Sequence, residues 1–155
     1  MQEQCCPRLR AEDWDKKELV WNSKPFYRTK YRSLLHMPLN IGGVTTRAMG
    51  QIRTIGLTEE PTIMLSKEES MFGSTLLLSV KQESQDIPTA KLSGKYVTRL
   101  FEGNYRYVGK WANEMKRYLV EIKKEPKEML FWYVTCPKCA KKYGSAQTVI
   151  LAAVE

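Results

Sequence analysis

A chain of 155 residues can bury one good core but not two independent ones. Hydrophobic residues make up 43% and charged residues 27%, and no apolar run approaches the roughly 20 residues that cross a bilayer, so a globular chain without a membrane partner is expected. The net charge of +8 is spread along the sequence with acids interleaved, no element carries an unbroken basic face, and a nucleic-acid partner is not expected.

Residues 1–24 read as an arm. It holds Cys5, Cys6, Pro7, Trp14 and Trp21, and it lacks the apolar core of a secretory signal, which points to the cytosol. Leu19, Val20 and Trp21 suggest a short strand, and Asn22, Ser23, Lys24 and Pro25 a turn. Phe26, Tyr27, Tyr31, Leu34 and Leu35 predict a strand over 26–37, ended by Pro38. Ile41, Val44, Ala48, Ile52 and Ile55 recur at helical spacing and predict a helix over 41–55, with Asn40 at its start and Gly56 at its end. After Pro61, residues 62–65 and 75–80 read as two strands around a turn near Met71, Phe72, Gly73 and Ser74.

The same order then recurs. Residues 90–101 are strand-like and Gly103-Asn104 breaks them. Val108, Trp111, Ala112, Met115, Tyr118, Leu119 and Ile122 mark one face of a second helix, with Asn104 as a cap. Residues 129–135 and 148–154 are two more strands, separated by 136–147. The expected fold class is α+β. It consists of two strand–helix–strand–strand repeats, about 25–83 and 88–155, in a single domain over 25–155. Pseudo-twofold symmetry, an antiparallel sheet with two helices packed on it and a ligand cleft between the repeats complete the expectation.

Gly94, Tyr96, Gly103 and Tyr105, in the run from Leu92 to Tyr105 that leads into the Trp111 helix, resemble the gyrase-inhibitor-like (GyrI-like) small-molecule-binding family. The whole chain is similar to a stand-alone branch of it labelled hydrolase. The shared motifs are Cys5-Cys6-Pro7, Trp14-Asp15, Pro38-Leu39-Asn40, Phe101-Glu102-Gly103-Asn104-Tyr105 and the CPKCAKKYG run over 136–144. The resemblance implies two strand–helix–strand–strand repeats and binding of flat or amphipathic organic molecules, drugs among them. In one branch, the cyclopropanoid cyclopropyl hydrolases, it implies opening of a strained cyclopropane by water, a detoxification that confers antibiotic resistance. Many relatives are the sensing half of a transcription regulator, but no pair of short helices precedes this chain's repeats. Many also carry a ligand-facing acid near the last strands, and residues 129–154 contain none.

Four tryptophans and eight tyrosines are a heavy aromatic load, consistent with a pocket as well as with a core. Trp111 and Tyr107 accompany the second helix. Trp132 and Tyr133, adjacent in a strand, point to opposite faces. Glu102 is the candidate catalytic acid. In an aromatic cleft its pKa should rise, letting it position a water or act as a general base, with Tyr105, Tyr107 or Tyr133 as proton donor. Binding a cation without chemistry, or capping the second helix, are its alternatives. The candidate ligand contacts are Trp111, Tyr107, Trp132, His36 and Phe72, with a buried structural role as the plainer reading of His36. Glu68 and Glu69 read as solvated.

Cys136 and Cys139 have the spacing of a zinc knuckle, and Cys5 and Cys6 would complete four ligands if the arm folds back. Structural zinc is possible and no other cofactor is required. Plain thiols in a reducing cytosol are the alternative, and redox activation is not expected because the CxxC pair follows a predicted strand without the helix N-terminus that activates such thiols. The functional expectation is a hydrolase of hydrophobic, electrophilic xenobiotics. The alternatives are a drug-binding or sequestering module without a DNA-binding domain, and an interaction protein.

Overall fold

The computed structural model describes residues 8–34, 37–38, 41–60, 62–68, 73–135 and 137–154. The elements run α1 (Ala11–Trp14), β1 (Lys17–Leu34), β2 (Met37–Pro38), α2 (Ile41–Thr54), β3 (Met64–Glu68), β4 (Gly73–Ser79), β5 (Thr89–Gly103), a 3-10 turn (Tyr105–Tyr107), α3 (Val108–Glu121), β6 (Glu128–Tyr133), α4 (Pro137–Tyr143) and β7 (Ala146–Val154). The chain is therefore a mixed α and β fold whose paired strands are antiparallel. It divides into two compact units, residues 21–93 and residues 1–20 with 94–155.

In the 21–93 unit, β4 lies between β1 and β3, with Leu77 opposite both Arg28 and Leu65. Ser74 to Ser79 of β4 are all buried, so both faces of this strand are covered, and the run Leu76-Leu77-Leu78 suits such a position. Val44, Ala48 and Ile52, one turn apart along α2, pack against Tyr27, Tyr31, Leu76 and Leu78. Helix α2 stops where the sequence indicates. Gly56 adopts φ +74°, the Leu57 N–H reaches the Ile52 carbonyl and the Gly56 N–H reaches the Arg53 carbonyl, 3.1 Å each. Those two bonds close a Schellman motif.

In the other unit, β7 lies between β5 and β6, with Leu151 opposite both Thr98 and Leu130. Trp111, Met115 and Leu119 of α3 pack against Val97, Phe101, Ile150, Ala152 and Val154. Helix α3 ends by the same pair of bonds, Lys124 N–H to the Leu119 carbonyl and Lys123 N–H to the Val120 carbonyl. Here the left-handed residue is Lys123, at φ +61°.

Several local expectations change. Residues 22–25 do not turn. Strand β1 runs through them, and the turn chemistry is absorbed by one left-handed residue, Ser23 at φ 55°, whose N–H donates to Ser93 Oγ at 2.8 Å. The segment ahead of β1 is tied into the 94–155 part by Lys16 N–H to the Thr98 carbonyl, 2.8 Å, and by Asp15 accepting from both Arg99 and the Leu100 N–H. Strand β3 starts at Met64 rather than at residue 62, because the Ile63 N–H donates to Ser79 Oγ and the Thr62 hydroxyl to the Glu59 carbonyl. The segment 136–147 contains helix α4, which the sequence reading did not include. Asn104 caps the 3-10 turn, accepting from the Arg106 N–H, rather than α3 itself. Asn40, Pro61 and Met71 lie outside the described residues.

Candidate functional site

Glu102 stands next to last in β5, opposite Gln147 of β7. Its Oε1 accepts from Arg8 Nη2 and from Ser145 Oγ, 3.1 Å each, and its Oε2 accepts from Gln147 Nε2 at 3.2 Å. The Arg8 guanidinium also lies over the Tyr143 ring, 5.3 Å from its centroid. Gln147 is fully buried, and its amide clamps the Leu9 backbone with N–H to Oε1 and Nε2 to O, 2.9 Å each. A buried amide in a central strand requires such partners.

Glu102 does not have the raised pKa that the sequence reading gave it. Partial burial does push it up, but hydrogen bonds from Gln147 and Ser145 and the charge and hydrogen bond of Arg8 together outweigh burial, and the carboxyl sits below the usual range. Its side chain remains 46% exposed, against 39% for Arg8. The group is a solvated, braced carboxylate rather than a desolvated acid.

The chain leaves β5 through Gly103, which is at φ +148°. A Cβ there would lie 3.2 Å from the Trp111 ring, so the turn requires glycine for conformation and for clearance. Trp111 is buried and stacked on Phe101, with centroids 5.6 Å apart and planes 10° apart, which makes it core. The Tyr105 hydroxyl accepts from the Thr135 N–H at 2.9 Å and donates to the Thr135 carbonyl. That proton is committed to backbone, so Tyr105 does not fit the donor role expected of it.

Strand register separates the expected catalytic set. Tyr133 and Phe101 lie opposite Thr148, so their side chains share the face that packs on α3. Glu102 and Trp132 alternate to the other face. Tyr133 meets Tyr105 edge-on at 5.3 Å and stacks on Phe131. Trp132 is buried, with Trp14 edge-on at 5.2 Å, and so is core. Tyr107 is exposed under the Arg106 guanidinium, which also donates to its hydroxyl.

His36, Phe72, Cys5, Cys6 and Cys136 lie outside the described residues, as does Glu69. Cys139 is buried on α4. Among the described residues no three His, Cys, Asp or Glu side chains are grouped to hold a metal ion. Helix α4, Pro137–Tyr143, overturns the premise that the CxxC pair has no helix beside it.

Arg8, Ser145 and Gln147, which hold Glu102, are not among the residues that the sequence patterns single out. Gln147 had one usable signal, a polar residue opening the apolar run Val149 to Val154. Two open grooves lie elsewhere. One, of about 430 Å³, is bordered by Arg47, Gln51, Thr54 and Asp86, and the other, of about 250 Å³, by Lys16, Arg99, Glu114 and Tyr118. No helix among the described residues is long and apolar enough to cross a membrane.

The family described as "Bacterial hydrolase" matches residues 1–154. The chain belongs to that family. No curated protein matches it. Among solved structures it is similar to the C-terminal domain of EcmrR, with TM-score 0.68 and 12% identity over 92% of this chain and 98% of that one. It is also similar to a hydrolase from Listeria innocua, with TM-score 0.61 and 9% identity over 91% and 92% of the two chains. A third is SAV2435 bound to tetraphenylphosphonium, with TM-score 0.53 and 14% identity over 91% and 94%. At such identities the likeness is one of fold, and it fits the GyrI-like fold that the sequence motifs imply.

Proposed function

We propose that the protein binds amphipathic organic small molecules, and that the Glu102 carboxylate anchors a positively charged group on them. One observation carries this reading. Glu102 is held ionised by Gln147, Ser145 and Arg8, yet nearly half of its side chain faces solvent. A carboxylate kept charged and accessible suits a cation. The Tyr143 ring, over which the Arg8 guanidinium paired with Glu102 lies, offers a π face. The structure of SAV2435 with tetraphenylphosphonium, a lipophilic cation, supports this ligand class. The strand order shared by the two units supports reading the chain as a duplicated strand–helix–strand–strand unit. The biological role would be sequestering xenobiotics in the cytosol.

The test is titration with tetraphenylphosphonium, followed by calorimetry and tryptophan fluorescence. Saturable binding that weakens about tenfold or more in Glu102→Gln is expected, since a charge-assisted contact is lost. Binding equal in both proteins would refute the assignment.

The family's description favours a second reading, hydrolysis of an electrophilic xenobiotic by ring opening. Glu102 and Ser145 would then hold the attacking water, and the proton donor would have to come from a group other than Tyr133, which lies on the opposite face of the sheet. The lowered pKa of Glu102 makes it a weak general base at neutral pH, which ranks this reading second. Product formation from a cyclopropane-bearing alkylating agent, lost in Glu102→Gln, would establish it.

A further inference from the structure

We propose that Arg8 is a built-in occupant of the Glu102 site, and that an organic cation binds by displacing it. This deepens the reading given above and rests on it.

An organic cation is recognised by an anion and an aromatic face. Arg8 already takes both. Its Nη2 is 3.1 Å from Glu102 Oε1, and its Cζ is 5.3 Å from the centre of the Tyr143 ring. The guanidinium is a delocalised, weakly hydrated cation, close in character to the ligands proposed.

The mounting of Arg8 allows it to leave. The chain is fastened one residue later, where the Gln147 amide takes both the N–H and the carbonyl of Leu9. The Arg8 side chain can swing away without unseating that clamp. Both members of the ion pair are more than a third exposed, and exposed pairs hold weakly. Ser145 and Gln147 stay on Glu102 when Arg8 departs, so the carboxylate remains braced for the incoming cation. The arrangement resembles a ligand tethered at high local concentration. It sets a threshold that an external cation must exceed, since only the fraction of molecules with Arg8 displaced is competent to bind.

The test compares full-length wild type with Arg8→Gln and with Arg10→Gln. Arg10 contacts Glu12 at the surface, and no contact to Glu102 is seen, so its variant controls for the loss of one charge. The probes are tetraphenylphosphonium and the neutral triphenylphosphine oxide. Arg8→Gln should bind tetraphenylphosphonium about two- to fivefold more tightly than wild type, the range expected for releasing an exposed ion pair. Arg10→Gln should bind it as wild type does, and triphenylphosphine oxide should not distinguish the three proteins. In wild type, the Arg8 Nε–H resonance should shift on saturation with the cation. Equal tetraphenylphosphonium affinity in wild type and Arg8→Gln, with Glu102→Gln still weakened, overturns the role of Arg8 and leaves the cation site standing. A gain of equal size in Arg10→Gln also overturns it, because the effect would then be one of net charge. Absence of tetraphenylphosphonium binding to wild type and Arg8→Gln alike overturns the underlying site itself.

Discussion

Gln147 and Leu9, 138 residues apart in sequence, are joined by two hydrogen bonds of 2.9 Å between a buried side-chain amide and a backbone. The pair anchors the segment that carries Arg8, and the same amide braces Glu102. Replacing Gln147 by Leu keeps the volume but removes every partner. The expected loss is about 1–3 kcal/mol in urea unfolding, the cost of leaving backbone groups unpaired. The Leu9 amide should lose hydrogen-exchange protection while the Ile150 amide keeps it. Retained protection at Leu9 would mean that the clamp is dispensable.

Gly103→Ala confronts a positive φ and an indole ring 3.2 Å away. A destabilisation of about 1–3 kcal/mol is expected. Gly50→Ala, within α2 and with nothing within 4 Å of the added methyl, should instead gain about 0.5–1 kcal/mol. Thermal melts of the two variants should move in opposite directions.

Lys123 occupies a left-handed position at the end of α3 that Gly56 fills at the end of α2. A side chain there costs about 1–2 kcal/mol. Lys123→Gly should raise stability by up to about 1 kcal/mol once the greater freedom of unfolded glycine is deducted. A lower melting temperature would show that Lys123 contributes a contact that offsets its backbone.

The Glu102 carboxyl is held below its ordinary range when folded. A carboxyl depressed in this way stabilises the fold above its unfolded pKa, and that contribution fades as pH falls through the folded value. Wild type should therefore exceed Glu102→Gln in stability at pH 7, and the two should converge below about pH 4, near the ordinary carboxylate range. Melting curves at a series of pH values check this. A gap that widens on acidification would reverse the sign of the shift.

Helices α2 and α3 were legible because Val44, Ala48 and Ile52, and Trp111, Met115 and Leu119, repeat with the period of a helix packed on one side. Gly56 marked its helix end through a conformation that glycine adopts cheaply. The turn expected at residues 22–25 failed because Asn, Ser and Pro signal an irregular backbone, and a strand can meet that need with one left-handed residue. The site was harder to read. Arg8 lies 94 residues from Glu102 and Gln147 lies 45, so no local pattern joins them. Whether Glu102 and Tyr133 share a face depends on the register of β5, β7 and β6, which alternation within a single strand does not reveal. The direction of the Glu102 pKa followed the neighbours, and those were the unread residues.

In each unit the middle strand of the sheet, β4 or β7, comes after both of its neighbours in the chain. A ribosome delivers residues in order, so each sheet waits for its closing piece. The segment 8–16 is made well before Thr98, Arg99, Trp132 and Gln147, which receive it. At 5–20 residues per second, Leu9 waits roughly 7–28 s for Gln147. The stretch that carries Arg8 to the Glu102 carboxylate is thus seated only long after it has been synthesised.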